Sequence, residues 1–368
     1  MSPVQPIRLM IAGGGTGGHI FPAIAIANAV RKLNPSSEIL FVGAKGKMEM
    51  EKVPSAGYKI IGLDIAGLNR SSIWKNISLP FKLIKSFLHA GKIIKDFRPN
   101  VAVGVGGYAS FPILYMAQRN GISTVIQEQN SFAGKSNKIL GKKAKAICVA
   151  YHRMERFFPK ENILYTGNPV RASIYENKHT QKEGAAFFQL NPDQKIVFAF
   201  GGSLGARSIN ETLKTQFKIL CEKNVQLIWQ TGTGFFEQAK AAVAGYESQV
   251  KVFDFIKDMD YAYAAADVII SRAGASSISE LSIIGKPVVF VPFPFASEDH
   301  QTHNAMSLVN AKAAFMVPDQ LAAQNLMNKV TELLDDEMTC EEMKKNILKL
   351  AIPDADLRIA HKIMELAN

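Results

Sequence analysis

The chain has 368 residues, enough for two domains of ordinary size, and its 47% hydrophobic and 20% charged content excludes a disordered protein. No apolar run reaches the roughly 18 residues of a spanning helix, and the N-terminal MSPVQPIRLM lacks a secretory pattern, so a cytosolic or peripherally attached protein is expected. The net charge of +11 is segregated: residues 1–170 carry 23 Lys/Arg against 8 Asp/Glu, and residues 171–368 carry 20 against 24, which points to a polyanionic partner of the first half, either nucleic acid or an anionic membrane.

In chain order, IRLMIA (7–12) reads as a buried strand and runs into the glycine loop AGGGTGGH, followed by a helical pattern with Ile20, Ala23, Ile24, Ala27 and Val30 on one face. Further buried strands are expected at ILFVG (39–43), VAVGV (101–105), TVIQE (124–128) and AICVA (146–150). A junction is expected near GNPVR (167–171). The pattern then restarts, with KIVFAF (195–200), the loop GGSLGAR (201–207) and a helix. Strands at QLIWQT (226–231), VKVFDF (250–255), DVIISR (267–272) and PVVFVP (287–292) follow. Continuous apolar strands alternating with helices indicate parallel sheets covered on both faces, hence two doubly wound α/β domains with ligands at the carboxyl ends of the strands. The expected domains are 1–170 and 171–353, with 354–368 a closing helix that crosses back onto the first. Cys148, Cys221 and Cys340 are far apart and odd in number, which favours a reducing compartment over a zinc site or disulfide framework.

Glycine loops that feed helices set unpaired N–H groups and a positive helix end against an anion. A dinucleotide fingerprint also wants an acidic residue after the second strand, yet ILFVG runs into AKGK, and Glu38 lies before the strand. A nicotinamide cofactor is therefore not expected. A better nucleotide site is DVIISRAGASSISELSIIGKPVVFVPFP (267–294), where small residues admit a phosphate to a helix start near Ala275 or Ser276, and Glu280 is placed to accept ribose hydroxyls. The plainer reading of Ser277 and Glu280 is a capping box. His300 and His303 are suitably spaced for a metal but lack a clear third ligand, and Asp258 to Asp260 fit a helix N-terminus better than a magnesium site. Neither a metal nor a cofactor is expected.

The motifs GGTGGHIFPAIAIA (14–27), GVGGYAS (104–110), QEQNSFAGKSNKIL (127–140), GNPVR, GGSLGAR, SRAGASSISE (271–280) and HQTHNA (300–305) together resemble the MurG family of bacterial N-acetylglucosaminyltransferases, in order and along nearly the whole chain. The resemblance implies the GT-B glycosyltransferase fold, two Rossmann-like domains facing a cleft. It also implies inverting transfer of N-acetylglucosamine from UDP-N-acetylglucosamine to the C4 hydroxyl of undecaprenyl-diphospho-N-acetylmuramoyl-pentapeptide (lipid I), giving lipid II for peptidoglycan. Implied donor contacts are Thr16, Gly17, Gly18, Asn130, Arg171, Ser203, Ile256, Ala275, Ser276, Ser277, Ile278, Ser279, Glu280 and Gln301. Ile256 would by its pattern alone be core.

Diphosphate leaves in this reaction, and helix-end donors with Ser203 and Arg171 suit its growing charge without a metal. An attacking alcohol benefits from a base. His19 is the first candidate, with helix capping or phosphate binding as its plainer reading, and Glu128 is the rival. Gly106, Gly107 and Tyr108 are candidates for the acceptor side. Residues 70–98, RSSIWKNISLPFKLIKSFLHAGKIIKDFR, interleave seven Lys/Arg with large apolar residues, as an interfacial segment does. Trp74 and Leu79 are expected at the membrane, with Ile84, Leu88 and Ile94 in the core. The expected partners are the donor, lipid I, the anionic inner face of the cell membrane and enzymes of cell-wall synthesis. Nucleic acid is not expected, since no binding motif accompanies the charge. The competing readings are a sugar-nucleotide epimerase or another transferase of the same fold, and a non-catalytic UDP-sugar-binding protein.

Overall fold

The computed structural model describes residues 6–65, 79–176 and 179–367, and the chain divides into two units, 1–171 with 353–368, and 172–352. Among the described residues the first unit holds seven parallel strands: β1 (Arg8–Ala12), β2 (Glu38–Ala44), β3 (Lys59–Leu63), β4 (Val101–Gly104), β5 (Ser123–Glu128), β6 (Ala146–Val149) and β7 (Ile163–Tyr165), in the order β3-β2-β1-β4-β5-β6-β7. Because strand side chains alternate in direction, Leu9 and Ile11 of β1 enter one core layer while Met10 and Ala12 enter the other, and all four are fully buried. The first layer is closed by the Gly17–Leu33 helix and by the Ala355–Ala367 helix, which packs on it. Ile359, Ala360 and Ile363 are buried there; each fully buried isoleucine is worth about 1.5–3 kcal/mol, which fastens the end of the chain to the first unit. The second layer is closed by the Leu79–Phe97 and Ser110–Arg119 helices.

The second unit holds β8 (Ile196–Phe200), β9 (Gln226–Gln230), β10 (Val250–Phe253), β11 (Val268–Ser271), β12 (Val288–Phe290) and β13 (Phe315–Met316), ordered β10-β9-β8-β11-β12-β13 and again parallel where paired. Its core runs from Val197 and Ala199 through the buried Trp229 to Leu326 and Val330.

Both sheets share one topological consequence. The chain runs outward from β1 to β3 and then returns to lay β4 on the other side of β1; likewise it returns after β10 to lay β11 beside β8. At such a reversal the connections on the two sides diverge and leave a crevice beyond the carboxyl ends of the strands, where open α/β sheets bind ligands. The residues of that crevice are the loops after β1 and β4 in the first unit, and after β8 and β11 in the second.

Two expectations are corrected here. Ile84 and Leu88, expected in the core, are 60% and 72% exposed, because the Leu79–Phe97 helix buries Ala90, Ile93 and Ile94 instead. Ile94 is core as expected. Trp74 lies outside the described residues. Leu79 begins the helix, and its side chain lies outside them too.

Candidate active site

In the first unit the loop after β1 passes against the loop after β4. Gly14 N–H donates to Gly106 O at 3.2 Å, and Val105 N–H donates to Ala12 O at 3.0 Å. The Gly17–Leu33 helix then starts with Thr16 as its N-cap, without a side-chain cap bond, so His19 lies in the first turn without serving as the cap. His19 Nδ1 lies 3.1 Å from Gly14 O and 3.2 Å from Thr16 Oγ1. A carbonyl oxygen only accepts, so the Gly14 contact is a hydrogen bond in the tautomer that carries its proton on Nδ1, and in that tautomer the lone pair is on Nε2. That nitrogen faces Gly106, where a Cβ would sit 2.8 Å from it; only glycine, here at φ +92°, lets the ring lie so close to the loop. Tyr108, two residues on, is 54% exposed.

Glu128, at the end of β5, is buried. Its carboxylate accepts hydrogen bonds from the N–H of Asn130 at 3.1 Å and of Gly134 at 3.0 Å, and from the side-chain amides of Asn130 and Asn137 at 3.3 and 2.9 Å. Burial pushes this carboxyl above the usual carboxylate range, and the four donors pull it partly back. A buried amide network ties this strand end to the neighbouring loops: Gln129 donates to Val105 O at 2.7 Å, Gln127 to Asn168 Oδ1 at 2.9 Å, and Asn168 to Gln129 O at 3.0 Å. The Arg171 guanidinium lies 5.9 Å from the Phe21 ring.

In the second unit, Ser203 is exposed in the loop after β8, and Ile256 is buried in the loop after β10. Gln230, at the end of β9, connects the two. Its amide donates to Gly202 O at 3.2 Å and accepts from Ile256 N–H at 2.8 Å. The Ala275–Ile284 helix has Gly274 as N-cap with no side-chain cap bond. Ser277 is therefore the third residue of the helix and forms no capping box with Glu280, whose carboxylate instead accepts Tyr263 Oη–H at 2.9 Å. Ser276 Oγ is buried with no hydrogen-bond partner among the described residues. Ser279 Oγ donates to Ala275 O, and Phe293 N–H donates to Gln301 Oε1 at 2.9 Å, fixing the start of the His300–Asn310 helix.

Sequence reasoning missed Glu49, Gln230 and Tyr263. Glu49 is buried at 1% exposure, five residues past the end of β2, and accepts Gly15 N–H and Ala44 N–H, both at 2.9 Å. An acid does follow the second strand, but it turns inward to the chain's own loop. The one available signal was its place after that strand.

Comparison with known proteins shows the family. Residues 9–149 match the glycosyltransferase family 28 N-terminal domain and residues 196–359 the family 28 C-terminal domain. Proteins from Cytophaga hutchinsonii and Bacteroides thetaiotaomicron are 52% and 53% identical, over 100% and 99% of this chain and 99% of each relative. Both are named UDP-N-acetylglucosamine–N-acetylmuramyl-(pentapeptide) pyrophosphoryl-undecaprenol N-acetylglucosamine transferase. The chain belongs to the MurG family of glycosyltransferase family 28. The crystal structure of Acinetobacter baumannii MurG superposes with TM-score 0.79 at 29% identity, over 98% of this chain and all of that one. A UDP-GlcNAc 2-epimerase from Neisseria meningitidis, at TM-score 0.69 and 15% identity over 98% of this chain and 100% of that one, shares the fold alone. The two doubly wound units are thus those of a GT-B glycosyltransferase.

Proposed function

We infer that this enzyme transfers N-acetylglucosamine from UDP-N-acetylglucosamine to the C4 hydroxyl of lipid I, giving lipid II. Full-length identity of about one half to transferases so named carries the reading. In the second unit, the N-terminus of the Ala275–Ile284 helix and the unpartnered Ser276 hydroxyl suit the donor diphosphate, and Glu280, held by Tyr263, suits the ribose hydroxyls. Ser203, the 275–280 stretch and Gln301 all follow carboxyl ends of strands, as a nucleotide site of this fold requires. Thr16, Gly17, Gly18, Asn130 and Arg171 are the donor contacts assigned to the first unit.

The acceptor hydroxyl attacks the anomeric carbon as the bond to the diphosphate breaks, so an α-linked donor gives a β-linked product and UDP leaves with the electron pair. The hydroxyl proton goes to His19 Nε2, the nitrogen that Nδ1–H donation to Gly14 leaves basic. Glu128 is less suited, because four donors within its own unit already engage its carboxylate; its work is to shape the 129–137 segment. Gly106, against the His19 ring, with Gly107 and Tyr108 after it, suits the acceptor sugar. With short-chain lipid I and labelled donor, the enzyme yields a β-linked disaccharide, and His19→Ala lowers kcat by about 10²-fold or more. No product overturns the assignment; a His19→Ala rate within about threefold of wild type overturns the base.

A peripheral site on the cytoplasmic membrane face fits an acceptor carried by a lipid. Among the described residues no helix is long and apolar enough to cross a membrane. Ile84 and Leu88, one turn apart beside exposed Lys85 and Lys92, instead form an apolar stripe flanked by cations. Ile84→Ser with Leu88→Ser should weaken sedimentation with phosphatidylglycerol vesicles several-fold; unchanged binding refutes this face.

A further inference from the structure

The Gly14–Gly15 peptide group is held on both edges. Its N–H, on Gly15, donates to Glu49 Oε2 at 2.9 Å, and its carbonyl, on Gly14, accepts from His19 Nδ1 at 3.1 Å. In a trans peptide these two groups lie in one plane and point in opposite directions, so the carboxylate and the imidazole are the two ends of a single connection. The other carboxylate oxygen, Oε1, accepts Ala44 N–H at 2.9 Å and pins Glu49 to the end of β2. The backbone is built around this side chain. A Cβ on Gly14 would lie 2.3 Å from the Glu49 carboxyl carbon, and one on Gly43 would lie 2.5 Å from its Cγ.

We propose that Glu49 is a positioning residue that acts on His19 through the Gly14–Gly15 peptide. Two effects follow from the connection. Orientation is the first: a carboxylate on the N–H edge fixes the peptide plane and so aims the carbonyl at Nδ1. Polarisation is the second: an anionic acceptor on the N–H makes the carbonyl oxygen a stronger acceptor, since hydrogen bonds in a chain reinforce one another. Both favour the tautomer with its proton on Nδ1, and both stabilise the imidazolium formed when Nε2 takes the acceptor's proton. The carboxylate of a catalytic triad does this by direct contact; here one peptide group stands between. No proton passes to Glu49. The Nδ1–H bond stays intact, and the only transfer is from the acceptor hydroxyl to Nε2.

This inference rests on His19 being the base, and its tests separate the two. Glu49→Gln keeps the shape, but both carboxylate oxygens face N–H donors, so the amide NH2 must oppose one of them. We expect kcat to fall about 10- to 100-fold, with the KM for UDP-N-acetylglucosamine within about twofold of wild type. In a His19→Ala background the same substitution should change the residual kcat by less than about twofold, because the receiving end is gone. An equal loss in both backgrounds makes Glu49 merely structural and overturns the proposal. The 15N spectrum of the wild-type imidazole is an independent measure that needs no variant to fold. The neutral ring should be protonated on Nδ1, and a ring protonated on Nε2 overturns the proposal directly. A His19→Ala enzyme of near wild-type kcat overturns the base reading instead, without involving Glu49.

Discussion

The two glycine loops of this protein follow equivalent strands, β1 and β8, each at the reversal point of its sheet, yet they rest on different side chains. Beneath the first lies Glu49, a carboxylate that accepts the loop's Gly15 N–H. Beneath the second lies Gln230, a neutral amide that donates to the loop's Gly202 carbonyl and steadies Ile256. The polarity of the two supports is opposite. The first spends the Gly15 N–H and sets a carboxylate below the backbone, which at that point of the loop suits the positive charge proposed for His19 better than it suits a phosphate. The second binds a carbonyl, spends no N–H of its loop and adds no charge, as an anion site requires. On the function proposed above, the first copy of this supersecondary unit presents the base beside the donor contacts Thr16, Gly17 and Gly18, and the second holds the nucleotide, each loop resting on one buried residue.

Gly106→Ala strikes hardest at the first loop. The added Cβ would meet His19 Nε2 and Cδ2 at 2.8 Å, at a backbone φ of +92° that alanine adopts with strain. Displacing the imidazole should cost about 10²-fold in kcat, the typical worth of a general base, with the donor KM within about threefold. Steady-state kinetics decide it: a large rise in donor KM at unchanged kcat would mean that His19 and the loops around it serve donor binding and not proton transfer, and would erase the contrast.

Much of the fold was readable in advance because interior parallel strands, covered on both faces, are continuous apolar runs; every strand with such a run was found. The three missed were β3, β7 and β13, all at sheet edges. β7 and β13 are only half-buried or exposed along their length, and β3 is buried only at its last two residues, so their sequences carry a weaker apolar signal. At the site, glycine loops and small-residue helix starts were legible from composition. The supports were not: Glu49 lies 34 residues from Gly15, and Gln230 lies 26 from Ile256 and 28 from Gly202. Their partners are backbone groups, which leave no mark in sequence. The misreading of Ile84 and Leu88 has a related cause. An amphipathic helix announces an apolar stripe, but when residues on more than one side are apolar, only packing decides which side is covered.

Gln230→Glu tests the comparison from the other side, with a smaller effect, by placing under the second loop the kind of group the first one has. The carboxylate retains an acceptor for Ile256 N–H but turns an oxygen toward Gly202 O, where an amide had donated at 3.2 Å. A lost half-buried hydrogen bond with two acceptors left facing costs about 1–3 kcal/mol, part of it relieved by movement of the loop. UDP affinity, read by calorimetry, should therefore fall about tenfold or more, while kcat at saturating donor changes less, because His19 and Glu49 belong to the other unit. Unchanged affinity would mean that loop polarity does not set which half holds the nucleotide. In that case the helix start at Ala275 with Ser276 and Glu280 carries donor binding alone, and the second glycine loop serves only to pack β8 against its helix.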